Sequence, residues 1–151
     1  MNMLTSESMT AMQGRWTGTN KFRLMPTDGF ADSESIANLR VEAKGHAVTI
    51  SYSWAEAGVP QEGVLLVSAG QNDDLQAVWV DSWHQNPSWM QLSGRTAESG
   101  ISTLDGSYDG GAWRIVIETG GGALRLKMFN EVPSMNLDAY IAMDATLTRI
   151  V

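Results

Sequence analysis

Polar and apolar residues alternate along most of this chain with a period of two, the pattern of strands that turn one face to a core. Residues 14–24 show it most cleanly. Trp16, Gly18, Asn20, Phe22 and Leu24 fall on one face, and Arg15, Thr17, Thr19, Lys21 and Arg23 on the other. Residues 25–35, with Pro26, Asp28-Gly29 and several serines, read as a loop able to lie over the end of a sheet but too short for two helices. From residue 36 the punctuation becomes regular. Residues 36–43 and 47–54 form a hairpin around Lys44-Gly45, and a break at Gly58-Val59-Pro60 leads into residues 63–69. Residues 77–94 read as two strands joined by a tight connection at Asn86-Pro87. Asp109-Gly110-Gly111 is a strong hairpin signal between residues 101–108 and 113–118. Residues 124–130 follow a run of three glycines, and residues 137–150 make the last strand. Ahead of all these, residues 1–13 read as a short helix or arm, with Thr5 or Ser6 as N-cap.

About ten short strands separated by turns predict an all-β fold, a single antiparallel up-and-down barrel closed on itself so that no edge is exposed. With no repeat, linker or shift of composition, residues 1–151 read as one domain. Gly18 and Gly94, inside strands, mark places where a barrel bends.

One stretch departs from simple alternation. In residues 77–84, Trp79, Asp81 and Trp83 share one face, while Val78, Val80, Ser82 and His84 share the other. Neither face is plainly solvent, which suits a barrel whose interior mixes apolar and polar groups.

Composition narrows the function more than it names it. The net charge of −7, with no run of Lys or Arg, argues against nucleic acid and anionic membranes as partners. The absence of cysteine removes disulfides, thiolate catalysis and cysteine-ligated metals. The first residues lack a basic region followed by an apolar core, and no apolar run is long enough to span a bilayer, so a cytoplasmic protein is expected. Two histidines, His46 and His84, show no metal-ligand spacing, and the chain carries no nucleophile elbow, phosphate loop or dinucleotide fingerprint. Nothing positive argues for an enzyme.

Gly14-Arg15-Trp16 resembles the Gly-x-Trp opening of lipocalins and their calycin relatives, in which an arginine from the barrel's end packs across the tryptophan; Arg149 is the matching residue here. Over most of its length the chain is similar to small bacterial calycin-like proteins of unknown function. The residues that carry this are Trp16-Thr17-Gly18, Asp81-Ser82-Trp83-His84, Gly106-Ser107-Tyr108 with Trp113-Arg114, and Met128-Phe129-Asn130-Glu131-Val132-Pro133. The resemblance implies a lipocalin-like barrel and the calycin habit of holding small apolar molecules. Haem-binding calycins of the nitrobindin type also open on a Trp-x-Gly strand, but they take an axial histidine from the last strand. Residues 137–151 contain none, which argues against haem.

The expected function is therefore binding of a small, mostly apolar ligand inside the barrel, in a cavity of several hundred Å3. Trp54, Trp79, Trp83 and Tyr108 are the aromatic lining, Asn20, Asp81 and His84 the polar anchors, and an inward Arg114 a partner for a ligand carboxylate. Each has a plainer alternative. The aromatics could fill the interior, Asp81 could be a buried carboxylate bonded to a neighbour such as Arg114, and His84 could end a strand in water. Arg114 and Glu118 on one face normally mean the outside of the wall. A weak acid–base pair of Asp81 and His84 needs the chain to bend at Ser82-Trp83. Another reading makes the protein an interaction module or homodimer that uses an external aromatic patch on residues 83–89.

Overall fold

The computed structural model describes residues 12–150; the expected N-terminal helix or arm lies almost wholly outside them. Ten strands follow one another: β1 (Gly14–Phe22), β2 (Ala31–Glu42), β3 (Ala47–Glu56), β4 (Val59–Ala69), β5 (Asp74–Asp81), β6 (Gln85–Thr96), β7 (Ser102–Tyr108), β8 (Gly111–Gly120), β9 (Ala123–Val132) and β10 (Leu137–Arg149). Each pairs antiparallel with the next, and β1 pairs with β10 to close the barrel. The fold is the up-and-down barrel that the alternation predicts. Among the described residues the helical content is two short 3-10 turns between strands, Ala43–Gly45 and Pro133–Met135.

The strand directions give the barrel two unlike ends. At the floor, Trp16 lies opposite Arg149 in the β1–β10 register, and the Arg149 guanidinium stands 5.0 Å from the Trp16 ring centre. This is the Trp–Arg closure that the sequence resemblance implies. Above it the inward faces of the strands fill the interior with Leu39, Ile50, Leu65, Leu104, Ile115 and Leu147, all fully buried. The other end, the mouth, is where β1 meets β2 and β5 meets β6. Phe22, Trp54, Trp79, Trp83, Tyr108, Trp113 and Tyr140 gather in that half.

Two glycines are required by close approach. A Cβ on Gly18 would collide with the Thr146 carbonyl of β10, and one on Gly94 with the Thr103 carbonyl of β7. Both are the tight crossings anticipated for glycines inside strands.

Three boundaries differ from the sequence reading. The β1–β2 loop is shorter, because β2 starts at Ala31; its serines 33 and 35 alternate with Glu34 within the strand, and Ser33 Oγ accepts from the Ala55 amide at 3.1 Å. Pro60 lies within a strand instead of breaking one, the second residue of β4, paired with Ala55 near the mouth. The β5–β6 connection is residues 82–84, and Asn86-Pro87, joined by a cis peptide bond, lies within β6.

Candidate functional site

The mouth is organised by one buried carboxylate. Asp81 ends β5, is wholly buried, and accepts four hydrogen bonds. Its Oδ1 receives the backbone amides of Trp83 and His84, both at 2.9 Å. This is the local aspartate turn that reverses a chain over few residues. Its Oδ2 receives the Tyr52 hydroxyl at 2.7 Å and the Trp54 indole N–H at 3.1 Å. Tyr52 in turn accepts the Trp79 indole N–H at 2.9 Å. Burial and the neighbouring Asp81 charge raise the Tyr52 hydroxyl well above its ordinary pKa, so it stays a donor.

Gly63 makes this network possible. It faces Tyr52 across one side of β4 and Asp81 across the other, and a Cβ there would meet the Tyr52 ring and hydroxyl. The missing side chain lets the tyrosine reach across a strand to the carboxylate two strands away.

The aspartate turn also sets where His84 points. Strict alternation puts Asp81 and His84 on opposite faces, but the reversal at residues 82–84, with a register shift between Trp79 and Asp81, swings His84 inward. Its ring does not end in water. It stacks on Trp54, with centroids 5.2 Å apart and planes at 18°. Trp83 is at 4.9 Å, Trp113 at 5.0 Å, Phe22 at 5.5 Å and Trp79 at 6.4 Å. Loss of hydration in this cage pushes the His84 pKa down to about 4 against the opposing pull of the Asp81 charge, so the ring is neutral at physiological pH. A hydrogen bond between the two side chains does not occur: Asp81 holds the backbone of residue 84, not its ring.

Beside this cage lies a cavity of about 250 Å3. Phe22, Trp79, Trp83, His84 and Trp113 form its inner wall, with Met90 and Ala142; Arg23, Leu24, Gln85, Tyr108, Asn130 and Tyr140 line it toward the mouth. Two polar atoms in that lining, His84 Nε2 and Trp113 Nε1, are buried with no hydrogen-bond partner. At the rim, Tyr108 donates to Asn130 Oδ1 at 2.5 Å, Asn130 donates to the Tyr140 hydroxyl at 3.3 Å, and Tyr140 donates to the Leu24 carbonyl at 2.6 Å.

The expected site residues thus divide. Trp79, Trp83, His84 and Tyr108 line the cavity, while Trp54 stands behind His84 and Asp81 holds the turn. Asn20 is inward and buried, two residues down β1 from Phe22, with neither amide atom bonded; it is not part of the cavity wall. Arg114 is outward. Its guanidinium pairs with Asp105 on the neighbouring strand at 2.7 Å, because β8 spends its inward positions on Trp113, Ile115 and Ile117. It does not line the mouth cavity, and its carboxylate partner is Asp105, not Asp81. Arg23 and Tyr140 enter the site unannounced by the sequence reading, and Trp113 and Asn130 are marked there only as residues of the resemblance. Among the described residues no three His, Asp or Glu side chains are placed to hold a metal ion, and no helix is long and apolar enough to cross a membrane.

No family model matches the chain, and no curated protein sequence does. Among solved structures it is similar to the S-type phycobiliprotein lyase CPES from Guillardia theta. The two superpose with a TM-score of 0.61 over 96% of this chain and 92% of that one, at 12% sequence identity. At that identity the likeness is one of fold, a calycin-like barrel of the same extent.

Proposed function

We propose that the protein binds a small, largely apolar and planar molecule in the mouth of its barrel, as a member of the bacterial calycin-like group that its motifs resemble. The observation that carries this is the pair of buried, unpartnered polar atoms, His84 Nε2 and Trp113 Nε1, on rings 5.0 Å apart in the wall of an otherwise aromatic cavity. Buried polar groups are nearly always bonded, so such atoms point to a partner that arrives from outside. Trp113 can only donate, and a neutral His84 offers one donor and one acceptor, so the pair suits an oxygen or ring nitrogen on the ligand. The volume, just below the usual ~300–1,000 Å3 of ligand sites, favours one or two fused rings. The barrel shared with a phycobiliprotein lyase is consistent with such a role. Titration with naphthalene-2-carboxamide, read by tryptophan quenching, tests it. The wild type should bind, and Ala142→Leu, which adds bulk from the cavity wall, should weaken binding at least tenfold. No binding of this probe or of the matching naphthalene-2-carboxylate would overturn it.

A second reading has its own observation. Trp89 on β6 is 62% exposed, and Val64 and Leu66 stand outward on β4, an apolar outer face that suits a homodimer or protein partner. Sedimentation of wild type and Trp89→Ser should then differ in oligomeric state; two identical monomers would remove this reading.

A further inference from the structure

Arg23 follows the last residue of β1, where the alternation predicts an outward, solvated side chain. Instead it turns over the mouth and lines the cavity. Its Nε donates to the Ile141 carbonyl at 2.8 Å and its Nη1 to the Pro26 carbonyl at 3.1 Å. Its Cζ lies over the Phe30 ring, 4.3 Å from the ring centre, and over that of Tyr140 at 5.9 Å. These contacts fix the guanidinium without neutralising it. Lys21, Arg40, Arg114, Arg125 and Lys127 each pair with a carboxylate, whereas among the described residues none pairs with Arg23. Of the described residues that line the cavity it alone carries a full charge, since His84 is neutral there and the Asp81 carboxylate lies behind the wall. A guanidinium oriented by carbonyls and stacked on aromatic faces keeps its remaining N–H groups in a fixed fork, the geometry that receives a carboxylate or another oxyanion.

We infer that the ligand of this cavity is an aromatic or conjugated acid, its rings against the tryptophans and its anionic group at the rim on Arg23. This rests on the reading of the mouth as a binding site and adds the ligand's charge class. Asp81 is not the polar end of the site, because all its acceptor positions toward the interior are already filled by Tyr52, Trp54 and the turn.

Two probes of the same shape separate the claims: naphthalene-2-carboxylate and naphthalene-2-carboxamide. The carboxylate should bind about tenfold tighter, the lower end expected for one charge-assisted hydrogen bond. Arg23→Gln should bring the two probes level by weakening the carboxylate alone, and Arg23→Lys should keep part of the preference. A carboxamide that binds the wild type as well as the carboxylate overturns the anion assignment and leaves the binding site standing. So does a preference that survives Arg23→Gln. If neither probe binds, both readings fall. The wild-type ratio decides the matter even where a variant does not fold.

Discussion

The Tyr52 hydroxyl stands between Trp79 and Asp81, accepting from the indole at 2.9 Å and donating to the carboxylate at 2.7 Å. Trp79 forms the cavity wall and Asp81 forms the turn that carries His84, so one hydroxyl ties the wall to the turn. Asp81→Asn keeps an acceptor for the two backbone amides but turns an NH2 toward two donors. Tyr52 cannot respond by accepting without releasing Trp79. The substitution should lower unfolding stability by about 2–4 kcal/mol, the range for stranding partners of a buried charged group. Tyr52→Phe should cost about 1–3 kcal/mol, since it orphans the Trp79 N–H. Urea denaturation checks both, and a loss below 0.5 kcal/mol for Asp81→Asn, roughly that of an ordinary surface change, would show that the network carries little.

Gly63→Ala is a more local test. Its Cβ would strike the Tyr52 ring, so the tyrosine must withdraw from Asp81. A loss of about 1–3 kcal/mol is expected from such overpacking. The same change in a Tyr52→Ala background should be nearly free. Equal costs in both backgrounds would break the proposed dependence.

The His84 ring gives a pH signature. Its pKa falls from 6.5 to about 4 on folding, so between those values the unfolded chain binds the extra proton. Its stabilising contribution is complete above pH 6.5 and is lost as the pH drops toward 4, by at most about 3 kcal/mol. Wild type should therefore lose about 2 kcal/mol more than His84→Gln between pH 7 and pH 4.5. Parallel urea midpoints for the two proteins would show that the ring is not held neutral.

At the floor, Arg149→Met should remove the cation–π contact with Trp16 and lower stability by about 1 kcal/mol. Thermal unfolding measures it. Arg149→Lys should recover part of the loss, and an unchanged melting temperature for both would make the pairing incidental.

Much of the barrel was legible because alternation is a local property. Trp16, Phe22, Ile115 and Leu147 sit where a period of two puts them, and the hairpin at Asp109–Gly110 falls where its residues place it. The site was legible only in part, because it is built where alternation stops. His84 turns inward through two hydrogen bonds from backbone to Asp81, and Arg23 folds back just beyond a strand end. Neither event leaves a trace in periodicity. The Asp-Ser-Trp-His order did hold a clue, since an aspartate at a strand end commonly bonds the amides two and three residues on. The Tyr52–Gly63–Asp81 relation spans three strands, and no local pattern announces a register. Arg114 shows the reverse: its ion pair with Asp105 was hidden, but its outward face was readable from Trp113 and Ile115.

The Trp79 and Trp113 rings are stacked, their centres 5.1 Å apart and their planes 15° from parallel, and both face the cavity. Two indoles so close couple their electronic transitions, so the circular dichroism of the folded protein should contain a paired band of opposite signs, to which the Trp54–Trp83 pair, 6.1 Å apart, also contributes. A molecule entering the mouth would shift their separation or tilt and alter that band. The pocket therefore carries its own optical gauge of occupancy, readable without any label.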